Sequence, residues 1–102
     1  MNKALVIFAH GKGFVISWKA EDSVTRFIED AGGNQDGFDL ELVGVDFTIP
    51  ADGLWVGDLK LIDDGPGDWP GSREFALQIY AWRPGTTEEW ASFRAGEWPW
   101  SD

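Results

Sequence analysis

The chain of 102 residues contains no cysteine and a single histidine. The first absence excludes disulfides, a thiolate nucleophile and any zinc site built on sulfur. The second leaves His10 as the one imidazole, and with it few ways to assemble a histidine-based catalytic or metal site. Positive charge is scarce too: 8 Lys and Arg stand against 18 Asp and Glu, a net charge of −10. That balance disfavours direct binding to nucleic acid or to an anionic membrane. Long apolar runs are missing. The N-terminal run covers only residues 4–9 and meets His10 and Lys12 at once, shorter than a signal-peptide core and far short of a membrane span. A soluble, unprocessed, cytoplasmic protein is expected, and the lack of cysteine fits a reducing compartment.

Catalytic motifs are missing as well. There is no G-x-S-x-G elbow. "GKGFV" lacks the third glycine of a dinucleotide fingerprint and the spacing of a P-loop, and "GPGDWPGS" has no lysine to meet a phosphate. Aligning "NQDG" with an EF-hand loop would put Gly32 and Val43 at liganding positions, which neither can fill. Asp63, Asp64 and Asp68 read as solvated turn acids rather than a cation site. A glycosidase-like carboxylate pair carries no weight among eighteen acids, because some pair will fall at a suitable separation by chance. The expectation is a non-enzymatic domain with no cofactor and no metal.

What is present suits one domain over residues 1–102, since two separate cores would each be too small to be stable. Residues 3–9 read as a strand covered on both faces, because the apolar run is continuous rather than alternating. "HGKG" turns it into a second strand containing Phe14, Ile16 and Trp18. Val24, Phe27, Ile28 and Ala31 fall on one face of a helix, with Asp22 or Ser23 to cap it and Gly32 or Gly33 to end it. "NQDG" is a turn. Beyond it Phe38, Leu40 and Leu42 alternate, and then Val43, Val45, Phe47 and Ile49 take the opposite phase; either a β-bulge beside Gly44 or two short strands explains the slip. Pro50 closes that element. "LWVGDLKLI" is a strand, "DDGPGDWPGS" a loop, and "REFALQIYAW" a strand with Phe75, Leu77, Ile79 and Ala81 on one face. Thr86 and Glu89 have capping-box spacing for a last helix that carries Trp90 and Phe93 inward, with Gly96 at its end and an extended tail over 97–102. The order β-β-α-β-β-β-α describes an α+β domain: a mostly antiparallel sheet of about five strands with two helices.

Seven tryptophans supply large rigid apolar area. Trp18, Trp55 and Trp90 fall in or beside periodic apolar patterns and read as core. Trp82 lies opposite the Phe75 and Ile79 face, either under the first helix or exposed. Trp69, Trp98 and Trp100 match no periodicity. Each either closes the open end of a core or anchors a partner.

The acids are segregated. Residues 29–68 hold eleven of them and one base, Lys60, while the rest of the chain has seven of each, so the whole net charge lies in the middle. Alternation of acids with apolar residues keeps the outer face of a one-sided sheet wet. Solubility alone does not require such segregation, and like charges on neighbouring strands repel. A concentrated negative face attracts basic partners, including surfaces built for nucleic-acid phosphates. Asp39, Glu41, Asp46, Asp58, Asp63, Asp64 and Asp68 are the candidate contacts, with Trp69 as an anchor.

"WRPGTTEEWASFRAGEWPW", residues 82–100, resembles C-terminal segments of small uncharacterised proteins from phages and prophages, in its W-R element, T-x-E-E-W helix and G-x-x-P-W end. The resemblance covers about a fifth of the chain and carries over no site residue. It implies a phage context, where small acidic proteins include anti-restriction and anti-CRISPR inhibitors of host nucleases. The expectation that follows is an acidic protein-binding domain occupying a basic, nucleic-acid-binding surface of a host protein. A carbohydrate-binding module with exposed tryptophans and a self-associating phage component are the alternatives.

Overall fold

The computed structural model describes residues 2–48 and 51–100. It begins with β1 (Lys3–Ala9) and β2 (Lys12–Lys19), an antiparallel hairpin. His10 (φ 54°) and Gly11 (φ 79°) form its two-residue turn in the left-handed conformation that matches strand twist. The continuous apolar run of β1 has the expected cause. Ala4, Val6 and Phe8 are buried on one face of the sheet and Leu5 on the other.

Helix α1 (Asp22–Asp30) buries Val24 and Ile28, with Phe27 and Ala31 packed beside them. Its N-cap is Glu21 rather than Asp22 or Ser23, and no side chain caps it. The Asn2 side chain instead accepts the Glu21 N–H at 2.7 Å, tying the helix start to the N-terminus. The Gly33 N–H bonds to the Ile28 carbonyl at 2.8 Å and closes the helix as expected.

The third strand differs from expectation. β3 is only Phe38–Asp39, and the chain then makes one helical turn, α2 (Leu40–Val43). Asp39 decides this. Its carboxylate accepts the N–H groups of Glu41 (2.8 Å) and Leu42 (3.4 Å), an N-cap that starts a helix where alternation suggested a strand. The apparent phase slip is helical spacing: Leu40 and Val43 point inward, and Leu42 is 65% exposed. Gly44 is not a bulge but the left-handed C-cap, φ 78°. Ile49 and Pro50 lie outside the described residues.

β4 (Gly53–Pro66) and β5 (Arg73–Pro84) form a long hairpin. The five strands make one antiparallel sheet in the order β3-β2-β1-β4-β5. Asp39 pairs with β2, yet Asp46 already bridges Gln78 of β5 at the far edge. One helical turn and three residues reach about 16 Å, less than the roughly 19 Å between the edges of a flat five-stranded sheet. The sheet is therefore curled around its first face. That face holds the larger core, with α1, α2, Val45 and Phe47 packed against Val6, Phe8, Val15, Leu59, Leu77 and Ile79.

Trp82 belongs to the same core, packing edge-on to Phe8 with centroids 5.1 Å apart. Strict alternation places it on the opposite face. Ala81, in the left-handed region at φ 54°, is an extra residue in β5: pairing moves from Val56↔Arg83 to Asp58↔Tyr80, and the phase resets. Ala81 is accordingly exposed rather than inward.

Helix α3 (Thr87–Arg94) covers the second face, where Leu5, Leu54 and Val56 pack with Ile7, Ile16, Trp90, Phe93 and Trp100. The Thr86 and Glu89 capping box is formed as the spacing predicts. Glu89 does more than cap. It is only 5% exposed, yet it takes two 2.7 Å bonds from the Arg83 guanidinium, one from the Thr86 N–H (2.9 Å) and one from the Trp100 indole (2.8 Å). One carboxylate thus joins β5, α3 and the C-terminal segment. Trp98 and Trp100 stack edge to face at 4.7 Å, and both are half-buried. Within the described residues the expected extended tail folds back onto the protein.

Arg83 holds the Glu89 carboxyl well below its ordinary 4.5, at about 2, against the opposing effect of burial. Because the folded value is depressed, its stabilisation is complete above the unfolded value and fades as pH falls through 4.5 towards 2. The shift corresponds to about 3 kcal/mol. Chemical denaturation of the wild type should lose that amount between pH 5 and pH 2 beyond what Glu89→Gln loses, and Glu89→Gln should be weaker by about 2–3 kcal/mol at neutral pH. Parallel pH profiles for the two proteins would contradict this role.

Candidate functional site

The β4–β5 hairpin outruns the sheet. β1 covers β4 only as far as Asp58, whereas β4 and β5 stay paired to Pro66↔Arg73. Residues 60–66 and 73–78 therefore form a two-stranded arm. The molecule measures 48 × 29 × 21 Å. The stretch "DDGP", expected in a loop, is strand, and the loop itself is only residues 67–72. Its two prolines do not oppose this, since Pro66 ends a strand and Pro70 sits in the turn.

Local bonds make the arm and its tip rigid. Asp63 accepts two bonds from Arg73 across the strands (2.7 and 3.1 Å) and the Gly65 N–H at 2.9 Å, beside a register shift. These bonds hold its carboxyl below the ordinary carboxylate value, the Arg73 bond most of all. At the tip the Ser72 hydroxyl donates to the Trp69 carbonyl (2.6 Å) and accepts the Trp69 N–H (3.3 Å), while the Gly67 N–H reaches the Ser72 carbonyl at 2.9 Å. The backbone of Trp69 is pinned, and its indole is 69% exposed. The other six tryptophans are all half-buried, so Trp69 alone is presented to solvent. Asp68 directly precedes it and Asp64 lies on the same arm, both exposed, with no side-chain bond or ion pair among the described residues.

The eight candidate residues do not gather in one place. Asp63, Asp64, Asp68 and Trp69 share the arm. Asp39 and Glu41 lie at the β3–α2 junction, where Asp39 is committed as a helix cap. Asp46 is exposed beside Gln78 of β5. Asp58 is on the second face in a 2.7 Å ion pair with Lys3, and its charge also acts on Arg83. Among the described residues, no group of three or more His, Asp or Glu side chains is placed to hold a metal ion. No helix there is long and apolar enough to cross a membrane.

Sequence reasoning missed the exposed apolar residues of the β4–β5 hairpin. Ile62, Phe75 and Tyr80, 37%, 48% and 40% exposed, join Trp69, so four of the six exposed large hydrophobic residues lie on this hairpin. Phase alone put Phe75 inside with Leu77 and Ile79. Phase, however, does not reveal that the sheet has ended before the strand does. Lys60 lies over the Tyr80 ring at 4.6 Å, a contact that covers one of these residues. No family model, curated protein or solved structure matches the chain.

A lone exposed indole on an arm that carries acidic side chains has a spectroscopic signature. Collisional quenching should reach mainly Trp69, and Trp69→Phe should abolish most of it. At low salt, each measured relative to a free neutral tryptophan derivative, caesium should quench it better and iodide worse, because the local negative charge attracts the cation and repels the anion. Asp64→Asn with Asp68→Asn should narrow that difference. The same relative quenching by both ions in the wild type as in the free derivative would show that the acids do not set the potential at the tip.

Proposed function

We propose that this chain is a non-enzymatic protein-binding domain that docks through its β4–β5 arm onto a basic protein surface. The observation that carries the reading is Trp69, held by Ser72 at the arm tip with its indole in water, Asp68 directly before it in the chain and the exposed Asp64 on the same arm. A rigid aromatic anchor loses little conformational entropy on burial, and tryptophan dominates the binding energy of many interfaces. The neighbouring carboxylates speed encounter with a cationic partner and orient it. Basic surfaces of this kind are common where proteins hold nucleic-acid phosphates. The specific version of the proposal is that the arm occupies such a surface on a host protein, as phage-encoded anti-restriction and anti-CRISPR inhibitors do. Sugar stacking is less well supported, because the described tryptophans present one exposed ring and not a platform of several.

The test is affinity capture from a bacterial lysate at about 0.05 M and about 0.5 M salt, where screening differs strongly. The wild type should retain one or a few proteins, more at low salt. Trp69→Ala should weaken the purified interaction by roughly 30-fold, the scale of an interface hot spot. Reversal of Asp64 and Asp68 to Lys should weaken it and flatten its salt dependence. Retention of the same proteins by all three variants would remove the arm from the interface.

A further inference from the structure

The arm has an unused edge. The Leu59 N–H bonds to the Asn2 carbonyl at 2.9 Å, so this residue directs its backbone groups away from β5. Its cross-strand partner Ile79 must then turn its own N–H and C=O outward, by the alternation of an antiparallel ladder. Pairing runs without a shift from Leu59↔Ile79 to Asp63↔Phe75, so Leu77 and Phe75 share that outward orientation. The chain uses this edge once, at the bridge between Asp46 and Gln78. Because Gln78 itself faces β4, that bridge takes the outward Leu77 C=O and Ile79 N–H, and the Leu77 N–H and the outer side of residues 73–76 have no partner among the described residues. Unpaired edges are templates for another strand, and proteins commonly blunt them with proline or lysine. Residues 73–77, "REFAL", contain neither.

Beside Phe75 lies a groove of about 450 Å³ between the arm and α1. Phe27, Leu61 and Phe75 supply its apolar walls, with Arg26 and Asp30 at the rim. Charge selects the occupant. Residues 61–77 carry Asp63, Asp64, Asp68 and Glu74 against Arg73 alone. A second copy of the chain would bring the same excess of negative charge and be repelled.

We propose that residues 73–77 of β5 accept an extended, lysine- or arginine-rich segment of a partner protein as an added strand, one of its apolar side chains entering the groove beside Phe75. Successive residues of a strand point to opposite faces. An alternating basic and apolar segment therefore sets its apolar residues on the groove side and its cations on the side of Glu74. Backbone pairing of this type is a recurrent mode of peptide recognition, with alternate side chains supplying specificity. The inference rests on the proposed role of the arm as the docking element.

The test is amide hydrogen exchange and chemical-shift mapping of the whole chain with two short synthetic peptides, one alternating lysine with valine and the other glutamate with valine. The lysine peptide should slow exchange at Phe75 and Leu77 by about tenfold or more, and the glutamate peptide should not. Phe75→Pro removes an outward N–H that β4 does not use and should abolish the effect at Leu77. Phe75→Ala keeps that N–H and should weaken binding while preserving protection at saturation. Shifts confined to Asp64, Asp68 and Trp69, without protection at Phe75 and Leu77, would overturn the added strand while leaving the docking arm in place. Absence of any shift on the arm would count against both, and equal protection by the glutamate peptide would overturn the choice of a basic partner.

Discussion

Strand β1 spans 7 residues and β4 spans 14, and that difference in length governs the shape of the molecule. Past Leu59, whose N–H still reaches the Asn2 carbonyl, β4 has only β5 paired with it. A two-stranded ribbon is marginal in water unless something else supports it. Here the support is local: the Asp63–Arg73 clamp across the strands, the Ser72 bonds that close the tip, the Lys60 ammonium over Tyr80, and one side of α1 near Leu61 and Phe75. Exposed surface ion pairs contribute little stability. The value of the clamp lies in geometry, since it holds the register of an arm that the sheet no longer aligns.

Apart from Leu77, buried in the larger core, and Leu61, packed against it, the rest of the protein frees the arm from duty to the core. Both faces of β1 are closed, one by α1, α2 and Phe47, the other by α3 and the returning C-terminal segment. The aromatic wealth of the C-terminus is mostly structural. Trp90 packs in the second core, and Trp100 reaches Glu89, whose carboxylate is also held by Arg83 and the Thr86 N–H. A buried carboxylate is costly unless its bonds are made, and Glu89 has four. The acids of the middle segment divide in the same way. Asp39 caps a helix and Asp58 and Asp63 are paired, whereas Asp64 and Asp68, on the arm that carries Trp69, have no side-chain partner among the described residues. Segregation along the backbone is therefore not one acidic face in space, and the local charge of the arm matters more than the net charge of the chain.

Much of the fold was legible because its signals are short-range. The two-sided strand at residues 3–9, the apolar stripe of α1 and the capping box at Thr86 all follow from spacing alone. The failures share another cause. Leu40, Val43 and Gly44 fit a bulged strand and a single helical turn equally well by hydrophobicity, and the choice rested on whether the Asp39 side chain would turn back to its own backbone. Trp82 changed face because Ala81 adopts a left-handed conformation that glycine, not alanine, normally signals. The arm was hidden because "DDGPGDWPGS" carries loop composition, and because the end of β1 against β4 is a long-range event with no local mark. Of the candidate site, Trp69 stood out by matching no periodicity, and Asp64 and Asp68 by the segregation of acidic charge in the middle of the chain. Phe75 did not, because it follows the core pattern faithfully into a region that has no core.

The most direct test of this account is to remove the arm and ask what is lost. Replacing residues 63–75 by Asn-Gly would close the hairpin at Ile62↔Ala76, a pair that alternation places in the hydrogen-bonded position a two-residue turn requires. If the arm is a docking element carried by an independent core, the trimmed protein should melt cooperatively within a few degrees of the full chain while losing its partners. A trimmed protein that fails to fold, or that folds and still holds those partners, would contradict the account.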